Sequence, residues 1–146
     1  MRAPQTITIS GAGSCRTPAL IGTLMQMKER FPVKKVIFFD KDMKRFAKIE
    51  DYCRLLLHTF SPETEVVVTD DMDEAYCACD FVFCQMRVGQ NKMRSYDEKI
   101  PLKHGLVGQE TCGPGGFAYG MRSIGGMKEM VDCVRKYSKD TWILNY

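Results

Sequence analysis

A glycine-rich run near residue 110 holds the side chains best suited to chemistry. Residues 108–124 read Gly-Gln-Glu-Thr-Cys-Gly-Pro-Gly-Gly-Phe-Ala-Tyr-Gly-Met-Arg-Ser-Ile, so an amide (Gln109) and an acid (Glu110) directly precede a helical pattern. Glycines let the backbone approach a ligand closely, and a helix N-terminus presents unpaired N–H groups to an anion. The run therefore predicts a site where an anionic ligand lies beside a carboxylate.

A second glycine-rich turn lies near the N-terminus. Residues 9–18 read Ile-Ser-Gly-Ala-Gly-Ser-Cys-Arg-Thr-Pro and follow a short apolar run. Gly11 would permit a tight turn, and Gly13 would let N–H groups approach a pyrophosphate at the start of a helix. Arg16 stands where the usual Gly-x-Gly-x-x-Gly pattern has its third glycine. On these residues alone, a plain turn between a strand and a helix stays open beside a dinucleotide site.

An acidic residue ends the second apolar run of the chain. Asp40 follows Val-Lys-Lys-Val-Ile-Phe-Phe, where a carboxylate can accept hydrogen bonds from the ribose hydroxyls of a dinucleotide. It would repel a 2'-phosphate, which favours NAD over NADP, although Lys41 and Lys44 weaken that preference. The alternative is that Asp40 caps the helix that follows.

A basic segment, residues 87–94, comes after the fourth apolar run. It reads Arg-Val-Gly-Gln-Asn-Lys-Met-Arg, and guanidinium groups bind phosphate through two parallel hydrogen bonds. Arg87 and Arg94 therefore suit an anionic substrate. A solvated basic loop is the alternative.

Cysteine and histidine give no sign of a metal or nucleophile site. The seven cysteines are an odd number without Cys-x-x-Cys spacing, which indicates reduced thiols rather than a disulfide framework or a zinc site. Cys112 has no histidine beside it, so we assign it a minor structural role. His58 within a helix and His104 near a turn are interpreted in the same way.

Strand and helix patterns alternate along the whole chain. Strands are predicted at 6–10, 33–40, 65–69, 80–86 and 141–146. Thr17 and Pro18 predict a helix start, with Thr17 as the N-cap, and Phe31-Pro32 a helix end. Further helices are expected around residues 46–60, at 72–79, across Arg94 and from Phe117 to Val134. Continuous apolar strands alternating with amphipathic helices predict an α/β fold, a Rossmann-type doubly wound parallel sheet of order 3-2-1-4-5 with helices on both faces.

Size and charge exclude several classes. A chain of 146 residues with 45% hydrophobic and 27% charged residues fits one globular domain. The net charge of +3 is too small and too scattered to indicate a nucleic-acid partner. No apolar run approaches the ~20 residues that span a membrane, and no signal-peptide pattern is present.

The run at 108–124 closely resembles glycoside hydrolase family 4, the NAD-dependent phospho-glycosidases, and within it the 6-phospho-α-glucosidase branch that acts on maltose 6'-phosphate. The turn at 11–18 is similar to the family's form Gly-x-Gly-Ser-x-x-Thr-Pro, which also lacks a third glycine. The resemblance implies hydrolysis of O-glycosidic bonds in 6-phospho-α-glucosides by redox-elimination. In that route NAD takes a hydride from the sugar, and a tyrosine base removes a proton while a divalent metal, typically Mn²⁺, stabilises the enediolate.

The resemblance also implies roles for single residues. Glu110 would tune the basicity of the family's catalytic tyrosine. Arg94 and Gln109 would contact the phosphorylated sugar. The residues expected at the cofactor are Gly11, Gly13, Ser14, Asp40 and Asn145.

The family's catalytic tyrosine and metal ligands would fall beyond Tyr146, which leaves no metal ligand in this chain. We expect residues 1–146 to form the NAD-binding Rossmann-type domain of a longer enzyme, truncated after its fifth strand and without glycosidase activity alone. The resemblance further implies a cytoplasmic location, a phosphorylated disaccharide substrate and a homo-oligomer of the full-length enzyme. Two alternatives are an NAD-dependent 2-hydroxy-acid dehydrogenase, which would not be expected to carry the 108–124 run, and a catalytically inactive NAD-binding module.

Overall fold

The computed structural model describes residues 3–146, in which strands and helices alternate. Five strands and five helices are formed within this range. In chain order they are β1 (Gln5–Ser10), α1 (Thr17–Gln26), β2 (Val33–Phe39), α2 (Met43–Phe60), β3 (Glu65–Thr69), α3 (Met72–Tyr76), β4 (Phe81–Cys84), α4 (Gln90–Leu102), α5 (Gly113–Tyr137) and β5 (Trp142–Asn145).

The five strands form one parallel sheet in the order β3-β2-β1-β4-β5. At its carboxyl edge, Ser10 pairs with Phe39 on one side and with Cys84 on the other, and Cys84 pairs with Asn145. Parallel neighbours need crossover connections, which the intervening helices supply. The doubly wound α/β fold predicted from the sequence is confirmed, including the strand order.

The central strands supply the hydrophobic core. Ile7 and Ile9 of β1 and Phe38 of β2 are wholly buried, and Phe38 stacks on Phe46 of α2 with ring centroids 4.9 Å apart. Each such side chain contributes about 1.5–3 kcal/mol when it leaves water. The apolar runs of β1 and β2 thus explain why these strands lie at the middle of the sheet.

The chain divides into two compact units. Among the described residues, one unit comprises 3–86 together with Cys133–Tyr146, and it contains the sheet. The other is Arg87–Asp132, which contains α4 and most of α5. The single domain over 1–146 stays a prediction.

The start and end of α1 differ from the prediction. Thr17 is the first helical residue rather than the N-cap; Arg16 precedes the helix and makes no capping hydrogen bond through its side chain. The Thr17 hydroxyl donates instead to the Ala12 carbonyl at 2.6 Å, a tertiary contact that competes with capping. The helix also ends at Gln26 rather than at Phe31-Pro32, because the exposed residues after it bury no apolar face and form turns.

The apolar residues whose spacing predicted α5 are unequally buried. Phe117, Met121 and Ile124 are more than half exposed, Val131 is half-buried and Val134 is buried. The periodicity therefore predicted the helix correctly but not which of its residues are covered. Across the described range, 3–146, no helix combines the length and apolar character that a membrane crossing requires.

The seven cysteines are all free thiols in this structure. Cys53, Cys79, Cys84 and Cys133 are buried and the other three are exposed. Burial raises the pKa of the Cys53 thiol to about 11, followed by a smaller effect of the Glu50 charge. Four of the seven therefore serve as small apolar residues of the interior.

Candidate functional site

The turn between β1 and α1 is shaped by close packing. Gly11 has φ +83°, and a Cβ there would lie 3.0 Å from backbone atoms of Gln85 and Met86. The N–H groups of Gly11 and Ala12 both donate to the Phe39 carbonyl, at 2.9 and 3.0 Å. The left-handed φ and the neighbouring strand end together explain why glycine occupies position 11.

Gly13 and Asp40 are in direct contact. The Gly13 N–H donates to Asp40 Oδ2 at 2.7 Å, and the Asp42 N–H donates to Asp40 Oδ1 at 2.8 Å. A Cβ on Gly13 would lie 2.9 Å from Asp40 Oδ2 and 3.0 Å from Cγ of Arg45. A carboxylate has about four acceptor positions, so Asp40 can accept further hydrogen bonds. The alternative that Asp40 caps α2 is wrong, because the cap is Asp42, which accepts from the Arg45 N–H at 3.2 Å.

Two further predicted cofactor residues lie at the same edge of the sheet. Ser14 is half-buried, and its Oγ accepts from the Arg16 N–H at 3.3 Å, while its carbonyl accepts from the Thr17 N–H at 3.0 Å. Asn145 is exposed at the carboxyl end of β5, in register with Cys84. The structure thus brings the glycine turn, Asp40 and Asn145 to the carboxyl edge, where ligands of such sheets bind.

A glutamine that the sequence reasoning missed lies under the glycine turn. Gln85 directly follows β4, and its side-chain Nε2 donates to Thr17 Oγ1 at 2.6 Å. Its backbone N–H donates to the Ser10 carbonyl at 2.9 Å. No local pattern indicates this role, because the partners are 68 residues apart in sequence.

In the second unit, Arg94 lies between two acidic side chains. Its Nε donates to Glu98 Oε1 at 2.8 Å, and its Nη2 is 3.4 Å from Glu110 Oε1. The hydrogen bond to Glu98, and then the charge of Glu110, raise the pKa of the Arg94 guanidinium. The predicted substrate residue Arg94 and the predicted acid Glu110 are therefore neighbours, and Arg94 keeps part of its surface open to solvent.

The residues after Glu110 are close-packed at the start of α5. A Cβ on Gly115 would overlap the backbone carbonyl oxygens of Gln109 and Asp97, and one on Gly116 would overlap the backbone of Thr111. The Gln109 side chain is exposed. Gly115 and Gly116 therefore allow close packing of the loop against α4 and the start of α5 within this unit.

A second arginine cluster in this unit joins Arg87, which the sequence indicated, to Arg122, which it did not. Arg122 donates from Nη1 and Nη2 to the two carboxylate oxygens of Asp97, at 3.1 and 2.6 Å, and from Nε to the Val88 carbonyl at 3.0 Å. The Arg87 guanidinium lies 5.1 Å from the ring centroid of Tyr119. Its Nη1 is buried and has no hydrogen-bond partner, an arrangement that a bound anion would satisfy.

The remaining candidates show no constellation for chemistry. Cys112, His58 and His104 are all exposed. No group of three or more His, Cys, Asp or Glu side chains within residues 3–146 could hold a metal ion. The described residues alone therefore do not fit a divalent-metal site.

Comparison with known proteins agrees with this geometry. The model of family 4 glycosyl hydrolases matches residues 6–146, and the chain belongs to this family, which confirms the resemblance. A 6-phospho-alpha-glucosidase of Lacticaseibacillus paracasei is 49% identical over 141 residues, 97% of this chain and 32% of its own length. A maltose-6'-phosphate glucosidase of Clostridium acetobutylicum is 48% identical over the same shares.

A solved structure gives the same result. It is a 6-phospho-alpha-glucosidase from gut microorganisms in complex with NAD and Mn²⁺, with a TM-score of 0.94 and 41% identity over 99% of this chain. This chain covers 33% of that protein. It thus spans about a third of the length of the relatives that it matches.

Proposed function

We propose that this chain supplies the NAD site and part of the substrate site of a 6-phospho-α-glucosidase that hydrolyses sugars such as maltose 6'-phosphate. The proposal rests above all on the polar carboxyl edge of the sheet, where the Gly13 N–H donates to the Asp40 carboxylate. Two relatives share 49% and 48% of their aligned residues with this chain, and their names support the same activity.

The fit to NAD rests on the glycine turn and Asp40. α1 begins without a side-chain cap, so the positive end of its helix dipole would face a pyrophosphate bound at the turn. The spare acceptor positions of Asp40 suit ribose hydroxyls, and its charge disfavours a 2'-phosphate, which favours NAD over NADP. When bound, NAD would supply the hydride acceptor for oxidation of the sugar.

The substrate part of the proposal rests on two arginines of the second unit. The unpartnered Nη1 of Arg87 and the exposed part of Arg94 would hold the sugar phosphate, since guanidinium groups bind phosphate through paired hydrogen bonds. Gln109 would bind the sugar. Glu110 would act on the basicity of a tyrosine supplied by the longer enzyme, and the ion pair with Arg94 would moderate its charge.

The metal and the location are proposals for the whole enzyme. A solved relative contains Mn²⁺, and we place the ligands of the corresponding metal outside this chain, as the resemblance to the family implies. A cytoplasmic location follows from the proposed substrate, because phosphorylated disaccharides arise during uptake and are cleaved inside the cell. The 146-residue chain alone is expected to bind NAD but not to cleave a phospho-glucoside.

The cofactor assignment is tested by titration calorimetry of the chain with NAD⁺ and NADP⁺. We expect NAD⁺ to bind more tightly than NADP⁺, and Asp40→Asn to weaken NAD⁺ binding by roughly tenfold, as the loss of a charged acceptor implies. The matched control is Asp51→Asn, an exposed acid of α2. Equal NAD⁺ affinity in the wild type and Asp40→Asn would count against the assignment.

The substrate assignment is tested separately by saturation-transfer NMR with glucose 6-phosphate and with glucose. Binding of glucose 6-phosphate that is lost in Arg87→Met and kept in Lys92→Met, an exposed cation of the same segment, supports it. Equal signals for the two sugars would contradict a phosphate site. Cleavage of a 6-phospho-α-glucoside by the chain in the presence of NAD⁺ and Mn²⁺ would overturn the expected inactivity.

A further inference from the structure

A short chain of hydrogen bonds runs beneath the glycine turn. The Thr17 hydroxyl donates to the Ala12 carbonyl at 2.6 Å and accepts from Gln85 Nε2 at 2.6 Å. Thr17 and Ala12 have no exposed surface. A hydroxyl has one hydrogen, and it is used on Ala12, so the group that Gln85 presents to Thr17 has to be the amide NH₂. The network itself therefore assigns the direction of the Gln85 carboxamide.

The other atoms of Gln85 contact the same edge of the sheet. Its Oε1 accepts from the Tyr146 hydroxyl at 3.4 Å, and its backbone N–H donates to the Ser10 carbonyl. Its backbone carbonyl would lie 3.0 Å from a Cβ on Gly11. One residue thus links the carboxyl ends of β1, β4 and β5 to the first turn of α1.

The two ends of the turn are joined by this network. Ala12 lies at its beginning and Thr17 at its end, and the hydroxyl connects them across a segment that contains Gly13. Glycine loses more conformational entropy on ordering than any other residue. If this loop were flexible in the free protein, ligand binding would have to offset the entropy lost on ordering it. Ordering it beforehand removes that cost from binding.

We propose that Gln85 and Thr17 are positioning residues for the dinucleotide turn. They do not contact the cofactor; they hold the Ala12 carbonyl and the first turn of α1, so that the N–H groups of residues 13–16 keep a fixed direction. This inference rests on the NAD site proposed above. It assigns a function in cofactor binding to Gln85, which lies outside the glycine-rich turn.

The test compares Gln85→Met and Thr17→Val with the wild-type chain. Both changes keep the size of the side chain and remove the hydrogen bonds; Gln85 is half-buried, so Gln85→Met is the variant more certain to fold. We expect each to weaken NAD⁺ binding by about tenfold, the effect of one lost hydrogen bond. The double variant should lose little more than either single one, because both act through one network.

Two further variants separate positioning from general stability. Thr17→Ser keeps the hydroxyl, so its NAD⁺ affinity should stay within about twofold of the wild-type value. Thr23→Val removes a hydroxyl of the same helix that also donates to a carbonyl, that of Ala19, but is exposed and outside the turn. It should leave NAD⁺ affinity unchanged.

Amide hydrogen exchange supplies a readout that does not depend on the cofactor. Gln85→Met and Thr17→Val should accelerate exchange at Gly13 and Ser14, whereas Thr23→Val should not. Unchanged exchange at both amides in Gln85→Met overturns the inference. A wild-type chain that fails to bind NAD⁺ refutes the proposed cofactor instead, and the exchange rates still decide whether Gln85 and Thr17 hold the turn.

Discussion

Removal of the Arg122 side chain should destabilise the protein strongly, because it leaves a buried carboxylate without a counter-charge. The Asp97 side chain is only 3% exposed and that of Arg122 20%. Arg122 contacts both carboxylate oxygens of Asp97 and also satisfies the Val88 carbonyl. Arg122→Met would therefore leave the buried Asp97 carboxylate and the Val88 carbonyl without these hydrogen bonds.

The expected magnitude follows from this burial. Breaking a buried ion pair from one side costs about 3–5 kcal/mol, a large part of the ~5–15 kcal/mol that holds a domain folded. We expect Arg122→Met to lower the free energy of unfolding by an amount in that range. Asp97→Leu combined with Arg122→Met should recover most of the loss, because the pair is then replaced by apolar groups.

Urea unfolding followed by far-UV circular dichroism measures these differences. The matched control is Lys128→Met on the same helix, which breaks the exposed pair of Lys128 with Asp132 and should cost at most about 0.5 kcal/mol. Equal effects of Arg122→Met and Lys128→Met, or a double variant less stable than Arg122→Met alone, would contradict a buried ion pair at this position.

Three further predictions concern single positions. Gly120→Ala should stabilise α5 by about 0.5–1 kcal/mol, since an added Cβ meets open space, whereas Gly115→Ala should destabilise it; a similar urea midpoint for both would contradict the packing. Gly13→Ala should weaken NAD⁺ binding, because its Cβ would lie 2.9 Å from Asp40 Oδ2; calorimetry showing wild-type affinity would disprove the close approach. Burial raises the pKa of the Cys53 thiol from 9.0 to about 11, so its thiolate is on the order of a hundredfold scarcer at mildly alkaline pH. Cys53 should accordingly react with iodoacetamide far more slowly than the exposed cysteines, and equal labelling rates in a mass spectrum would argue against its burial.

The sequence was sufficient to predict the strands and turns that form the carboxyl edge of the sheet, where we place the cofactor. Apolar runs alternating with helical periodicity predicted the parallel sheet and its order, because right-handed crossovers leave few ways to connect such strands. Gly11, Gly13 and Asp40 could be identified because turn glycines and strand-end acids have local causes. Their part in binding NAD stays a prediction that calorimetry can decide.

Local reasoning failed where a residue had two possible partners. A threonine before a proline is a good N-cap by sequence, yet Thr17 lies inside α1 and uses its hydroxyl on Ala12. Likewise, the periodicity of α5 revealed a helix but not that Phe117 and Met121 are exposed. In both cases tertiary packing decided the outcome.

By itself, the sequence determined the elements, their order in the sheet and the two glycine-rich segments, since propensity, periodicity and turn chemistry act over a few residues. The tertiary structure alone decided that Gln85 meets Thr17 and that Arg122 meets Asp97, pairs separated by 68 and 25 residues. Such contacts depend on the path of the whole chain and on which polar groups burial forces to find a partner. No short-range pattern carries that information.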